Sequence, residues 1–150
     1  MSVLNGERYL DEAVQSILEQ TFKDFEFLII NNGSTDKTAS ILSGYAEQDE
    51  RIKIITNEKT IPLTAAREQG ISLITTDWVA LMDADDYAYP KRLEKQLELL
   101  NSEGHKIGAL GTYAYYMNEK SESVGVMKTG PTSSAQFARA MANNDSMVIT

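Results

Sequence analysis

With 150 residues and 42% hydrophobic content, the chain is long enough for one packed domain and for little more. Its 14 Lys and Arg are outnumbered by 22 Asp and Glu, a formal net charge of -8, and the basic residues form no run or stripe, which excludes direct grip on a nucleic-acid backbone. There is no cysteine, which excludes disulfides and thiolate chemistry, and no apolar stretch reaches the roughly 20 residues that span a bilayer.

From Glu7 to Gln20 the residues Tyr9, Leu10, Ala13, Val14, Ile17 and Leu18 recur at helical spacing, with Asn5 and Gly6 before them as cap and turn. Phe25 to Ile30 is a short bulky run that reads as a strand buried on both faces, and Asn31-Asn32-Gly33-Ser34-Thr35-Asp36 breaks it. Ile41, Leu42 and Tyr45 mark a second helix, and Ile52 to Ile55 a second buried strand. Pro62 opens a third helix with Leu63, Ala66 and Gly70-Ile71 toward the sheet, followed by Trp78 to Met82 as a third strand. Directly after it stands Asp83-Ala84-Asp85-Asp86. Pro90 opens a fourth helix with Leu93, Leu97 and Leu100 on one face, and Ile107 to Tyr116 is the next strand. Ser121 to Thr132 reads as a hairpin or loop, Ala135 to Ala142 as a short helix and Asp145 to Thr150 as a strand cut short. The single His105, in a turn-like stretch, reads as solvated.

Helices alternating with near-continuous apolar strands predict an α/β domain over residues 1–150, a mostly parallel sheet with helices on both faces. Ligands in such sheets bind beyond the C-terminal ends of the strands. The Asn31 to Asp36 and Asp83 to Asp86 stretches each follow a strand, so both are expected at one crevice.

These residues resemble the family 2 glycosyltransferases, inverting enzymes of the Rossmann-like GT-A fold that use nucleotide-sugar donors. The resemblance runs from Ser2 to about Leu100 and rests on several motifs in shared order. They are Val3-Leu4-Asn5-Gly6-Glu7-Arg8-Tyr9-Leu10, Ser16 to Phe22 with Asp24-Phe25-Glu26, and Asn31 to Asp36. Further on come Ala65-Ala66-Arg67 with Gly70, and Met82 to Asp86 with Pro90, Arg92 and Leu93. Three features depart from the family pattern. Asn31 and Asn32 stand where an acidic pair is usual, and Arg67-Glu68 where Arg-Asn is usual. The chain also starts within the family's first strand and stops before its base motif, so truncation at both ends is expected.

The resemblance implies a divalent ion, Mn²⁺ or Mg²⁺, bridging the donor diphosphate. By resemblance Asp85 is the metal ligand, while Asp83, on the other side of Ala84, reaches the ribose or a metal-bound water; an extended segment would point both carboxylates the same way. Asp86 is read as a cap of the following helix. Arg67 would face the phosphates, Asn32 the nucleobase through its carbonyl, Glu7 the nucleotide, and Ser2 and Leu4 the base pocket. The implied partners are a nucleotide-sugar donor, most simply a UDP-sugar, and a saccharide or lipid-linked acceptor in cell-surface glycan synthesis. Cytoplasmic residence is expected, with peripheral contact at the inner face of the membrane.

Inversion requires a carboxylate base on the acceptor side, and Asp145 is the only late carboxylate, so the base is expected after Thr150 and residues 1–150 are expected to be inactive alone. Each motif also has a plain structural reading. Asp83 to Asp86 would serve as a helix start, Asn31 to Asp36 as a turn and cap, Arg67 as a solvated charge, and Glu7 as a favourable charge at a helix N-terminus. Tyr116 would pack or border an acceptor groove. Two rival functions stand beside glycosyl transfer: a fragment or degenerate paralogue that holds nucleotide without turnover, and a sugar nucleotidyltransferase. The latter would carry a Gly-rich basic loop after its first strand, which Asn5-Gly6-Glu7-Arg8 does not resemble.

Overall fold

The computed structural model describes residues 1–103, 107–120 and 122–127. The chain divides into two compact units, Met1–Leu99 and Leu100–Thr150. The first contains β1 (Ser2–Val3), α1 (Leu10–Leu18), β2 (Phe27–Asn31), α2 (Thr38–Gln48), β3 (Ile52–Thr56) and α3 (Leu63–Ile71), and α4 (Arg92–Glu103) begins in it. The second contains β4 (Ala114–Met117) and β5 (Ser123–Met127).

β1, β2 and β3 form a parallel sheet in that order. In β2, alternate side chains leave opposite faces. Phe27 and Ile29 join Leu10, Val14, Ile17 and Leu42 of α1 and α2 in the core. Leu28 and Ile30 turn to α3, where Gly70 packs so closely that an added Cβ would touch Ile30 at 3.6 Å. Helices therefore cover both faces, as the near-continuous apolar run in β2 predicts. β3 is less buried than expected, with Lys53 exposed and only Ile52 fully covered, because it is the edge strand.

Four local expectations change. Asn5 is not a helix cap: it adopts φ 53, a left-handed conformation that Asn tolerates. Residues 6–9 then make a turn, with the Gly6 carbonyl accepting from Tyr9 and Leu10 N–H at 3.0 Å, and α1 starts only at Leu10. Leu63 and Ile71 do not face the sheet; they are 51% and 53% exposed, whereas Ala66 and Gly70 are buried. Trp78 to Met82 forms no strand. Trp78, Val79 and Leu81 are exposed and only Met82 enters the core. β1 pairs with β2 over Ser2 and Val3.

α4 bears out the leucine stripe: Leu93, Leu97 and Leu100 are half-buried and Leu99 is exposed. In the second unit the predicted strand over 107–116 shrinks to Ala114–Met117, which pairs antiparallel with β5 as a hairpin. His105, Ala135 to Ala142 and Asp145 to Thr150 lie outside the described residues. Among the described residues no helix is long and apolar enough to cross a membrane.

Candidate functional site

The parallel register aligns Val3 with Asn31 and Asn31 with Thr56. The loops after all three strands therefore leave from one end of the sheet, where ligands of α/β sheets bind. Ser2 lies in β1, and Leu4, 47% exposed, follows it at that end.

The first two of these loops are laced together. Asn5 N–H donates to Ser34 Oγ at 3.0 Å, and Asn5 Oδ1 accepts from Thr35 N–H at 2.8 Å. Gly6 N–H donates to Thr38 Oγ1 at 2.9 Å. Asp36 accepts from Glu7 N–H and Thr38 N–H, at 3.1 and 2.9 Å, and Glu7 Oε2 accepts from Lys37 N–H at 3.1 Å. Glu7 thus caps the start of α2 across the gap between loops. The hydrogen bonds it receives hold the Asp36 carboxyl below its ordinary value against a desolvation that pushes it up.

Asn32 is 4% exposed and its amide is engaged on both sides. Nδ2 donates to the Ile61 carbonyl at 2.8 Å and Oδ1 accepts from Ile61 N–H at 3.1 Å and from Asn57 Nδ2 at 3.2 Å. Asn57 in turn exchanges two 3.1 Å bonds with Gln69 of α3. An aspartate could not make this pattern, because it has no donor for Ile61. The amide at this position clamps the 57–61 loop and, through Asn57, the helix that carries Arg67. Gly33 beside it has φ 76, and a Cβ there would lie 2.6 Å from Thr60 N.

Arg67 reaches from α3 to the acidic stretch, where its Nη2 donates to Asp83 Oδ1 at 2.6 Å. α3 therefore joins the two polar clusters expected at one crevice. Asp83 and Asp85 do not stand on an extended segment: Ala84 and Asp85 form a turn, closed by Asp86 N–H to the Asp83 carbonyl at 3.4 Å. Partial withdrawal from water, and then the charges of Asp83 and Asp85, push the Asp86 carboxyl up. The N-terminus of α4 is capped not by Asp86 but by Gln20, whose Oε1 accepts from Leu93 N–H at 3.0 Å.

Gln20, Ser16 and Arg92 are the site residues to which the sequence assigned no role. Ser16 and Gln20 stand four apart on the helical face that carries Ala13 and Ile17, and polar residues in an apolar stripe are the signal that they bind something buried.

A sequence profile described as glycosyl transferase family 2 matches residues 1–144. The chain belongs to that family. It is 37% identical over 114 residues to an uncharacterized glycosyltransferase of Methanocaldococcus jannaschii, an alignment covering 75% of this chain and 39% of the relative. It is 35% identical over 130 residues to the O-antigen biosynthesis glycosyltransferase WbnJ of Escherichia coli, covering 85% of this chain and 50% of that one. This glycosyltransferase chain thus spans about two fifths to a half of the length of these relatives. Among solved structures it resembles S. aureus TarS 1-349 in complex with UDP-GlcNAc, with a TM-score of 0.62 and 24% identity over 67% of this chain and 30% of that one. That likeness shows the GT-A fold.

Family membership implies a metal, and the donor set is compatible with one. Among the described residues no group of three or more His, Cys, Asp or Glu side chains could hold an ion by itself. Asp83 and Asp85 are both exposed, and Mg²⁺-type ions are held by one or two carboxylates plus substrate phosphates. Such a site would be completed by phosphate oxygens of a bound donor.

Proposed function

We propose that this glycosyltransferase transfers a sugar, with inversion, from a uridine diphosphate donor to a saccharide or lipid-linked acceptor in cell-surface glycan synthesis. The observation that carries the reading is the ion pair of Arg67 on α3 with Asp83 of the acidic turn. It brings Arg67 and the carboxylate turn of the family motifs together, where a diphosphate and its counter-ion would sit. The UDP-GlcNAc bound to TarS supports a uridine donor, and the O-antigen role of the Escherichia coli relative supports the class of product.

In this reading Asp85, with Asp83, would hold Mn²⁺ or Mg²⁺, which supplies charge neutralisation for the departing diphosphate. Arg67 adds a fixed positive charge toward the same oxygens. Ser2 and Leu4 line the base, and Ala84 lets the turn approach the donor closely. Glu7 acts on the nucleotide by fixing the loop around Asp36. No described side chain takes the part of the base that deprotonates the acceptor, and turnover requires more than these 150 residues, a view supported by the length of the relatives.

A second reading, nucleotide binding without turnover, is favoured by one observation: Asn32 spends both amide atoms on Ile61 and Asn57. Thermal melts with Mn²⁺ and UDP, CDP or GDP in turn test the donor assignment, since a ligand bound only by the fold raises the midpoint with its concentration. UDP is expected to raise it most. Equal shifts for all three, or none, would contradict a uridine donor.

A further inference from the structure

The acidic turn takes its position from side chains remote in sequence. Gln20 is 0% exposed. Its Nε2 lies 2.9 Å from the Ser16 carbonyl, 3.2 Å from that of Ala88 and 2.8 Å from that of Tyr89, and its Oε1 receives Leu93 N–H. Ser16, 2% exposed, accepts from Ala88 N–H at 3.0 Å while donating to the Ala13 carbonyl at 2.8 Å. Thr21 N–H donates to the Pro90 carbonyl at 2.8 Å. The end of α1 therefore grips the main chain of Ala88, Tyr89 and Pro90 and the start of α4 together.

On the other flank Arg92 Nη2 donates to the Leu81 carbonyl at 2.7 Å, and Nη1 lies 3.4 Å from Met82 Sδ. Asp83 to Asp86 hangs between these two anchorages. No sheet ladder runs through it, and the bond across its turn, at 3.4 Å, is long for N–H to O. Its geometry is thus imposed from outside. A buried amide fixes one arrangement because every alternative leaves its donors or acceptors unpaired.

We propose that Gln20 is a positioning residue for donor binding: through the main chain from Ala88 to Leu93 it sets Asp83 and Asp85 against Arg67, and so governs the metal-dependent part of nucleotide affinity. The inference rests on the donor reading above. It needs no contact between Gln20 and the ligand.

The test uses Gln20→Met, which keeps length and removes all the hydrogen bonds, and Ser16→Ala as the milder change, both in the intact protein. UDP affinity is measured by calorimetry with Mn²⁺ and with chelator, below the melting point of each variant. Loss of a group that orients a metal ligand typically weakens binding about 10- to 100-fold, so Gln20→Met is expected to weaken Mn²⁺–UDP binding about tenfold or more. UDP binding without metal should change less than about twofold, because the loops after β1 and β2 are untouched. Ser16→Ala should show the same selectivity at smaller amplitude, and it carries the test if Gln20→Met does not fold. Unchanged Mn²⁺–UDP affinity in folded variants, or equal losses with and without metal, would overturn the proposal. A parent protein that binds no Mn²⁺–UDP would instead overturn the donor reading, and the proposal with it.

Discussion

Arg67 Nη2 stands 2.6 Å from Asp83 Oδ1, yet the two side chains are 40% and 57% exposed. An ion pair so open to water is worth at most about 1 kcal/mol, too little to explain its placement by stability. Its partners are sixteen residues apart on different elements, and the pair joins α3 to the acidic turn. In the proposed donor site each charge would hold the other in place for a ligand that needs both.

Arg67→Ala and Asp83→Ala should therefore separate stability from binding. Urea unfolding is expected to move by less than about 1 kcal/mol for either, while each weakens Mn²⁺–UDP binding about tenfold or more. In a double-mutant cycle on affinity the losses should be less than additive, since each residue also orients the other. A stability loss several times larger would mark the pair as structural.

The clamp at Asn32 predicts an asymmetry between amide and acid. Asn32→Asp removes the donor to the Ile61 carbonyl and places a charge at a site 4% exposed. A loss of about 1–3 kcal/mol in urea is expected. Restoring the acid that is usual in the family should thus destabilise this chain, and an unchanged midpoint would show the clamp to be dispensable.

Much of the fold was legible because its signals are local. The apolar run of β2, the stripes of α1 and α4 and the order of the motifs are properties of neighbouring residues, and they named Arg67, Asp83 and Asp85 without a structure. Trp78 to Met82 misled because an apolar run predicts burial only where a partner exists to bury it, and of this run only Met82 enters the core. Asn5 looked like a cap because the same side chain that caps a helix can also tie two loops, and only the left-handed backbone separates the two. Gln20 and Asn32 were illegible for one reason: an amide serves any carbonyl or N–H within reach, and apart from Ser16 their partners lie 25 to 73 residues away.

Gly33→Ala tests the close passage of the two loops. With φ 76 and a Cβ only 2.7 Å from the Lys59 carbonyl carbon, alanine must both strain its backbone and displace the 59–60 chain. A loss of about 1–3 kcal/mol is expected in chemical unfolding. A neutral outcome would mean that the 57–61 loop yields freely, against the clamp.

Acid unfolding should show two carboxylates of opposite sign. The Arg51 hydrogen bond holds the Asp49 carboxyl down at about 2. Its contribution is present above the unfolded value of 3.8 and is lost as pH falls toward 2. Asp86 is pushed up, so its contribution is present below the unfolded value of 3.8 and lost as pH rises through its folded value. Asp49→Asn is expected to lower the melting temperature at pH 7 but leave it unchanged near pH 2, whereas Asp86→Asn should raise it slightly at pH 7. A reversed pair of effects would refute both assignments.

Metal-dependent nucleotide binding at the acidic turn is the central expectation for this protein. Calorimetric titration of UDP into the intact protein, with and without Mn²⁺, and into Asp85→Ala, tests it most directly. Binding should tighten with Mn²⁺ in the parent and lose that gain in Asp85→Ala, with circular dichroism used to check that the variant is folded. Binding that ignores the metal, or that Asp85→Ala leaves unchanged, would contradict it.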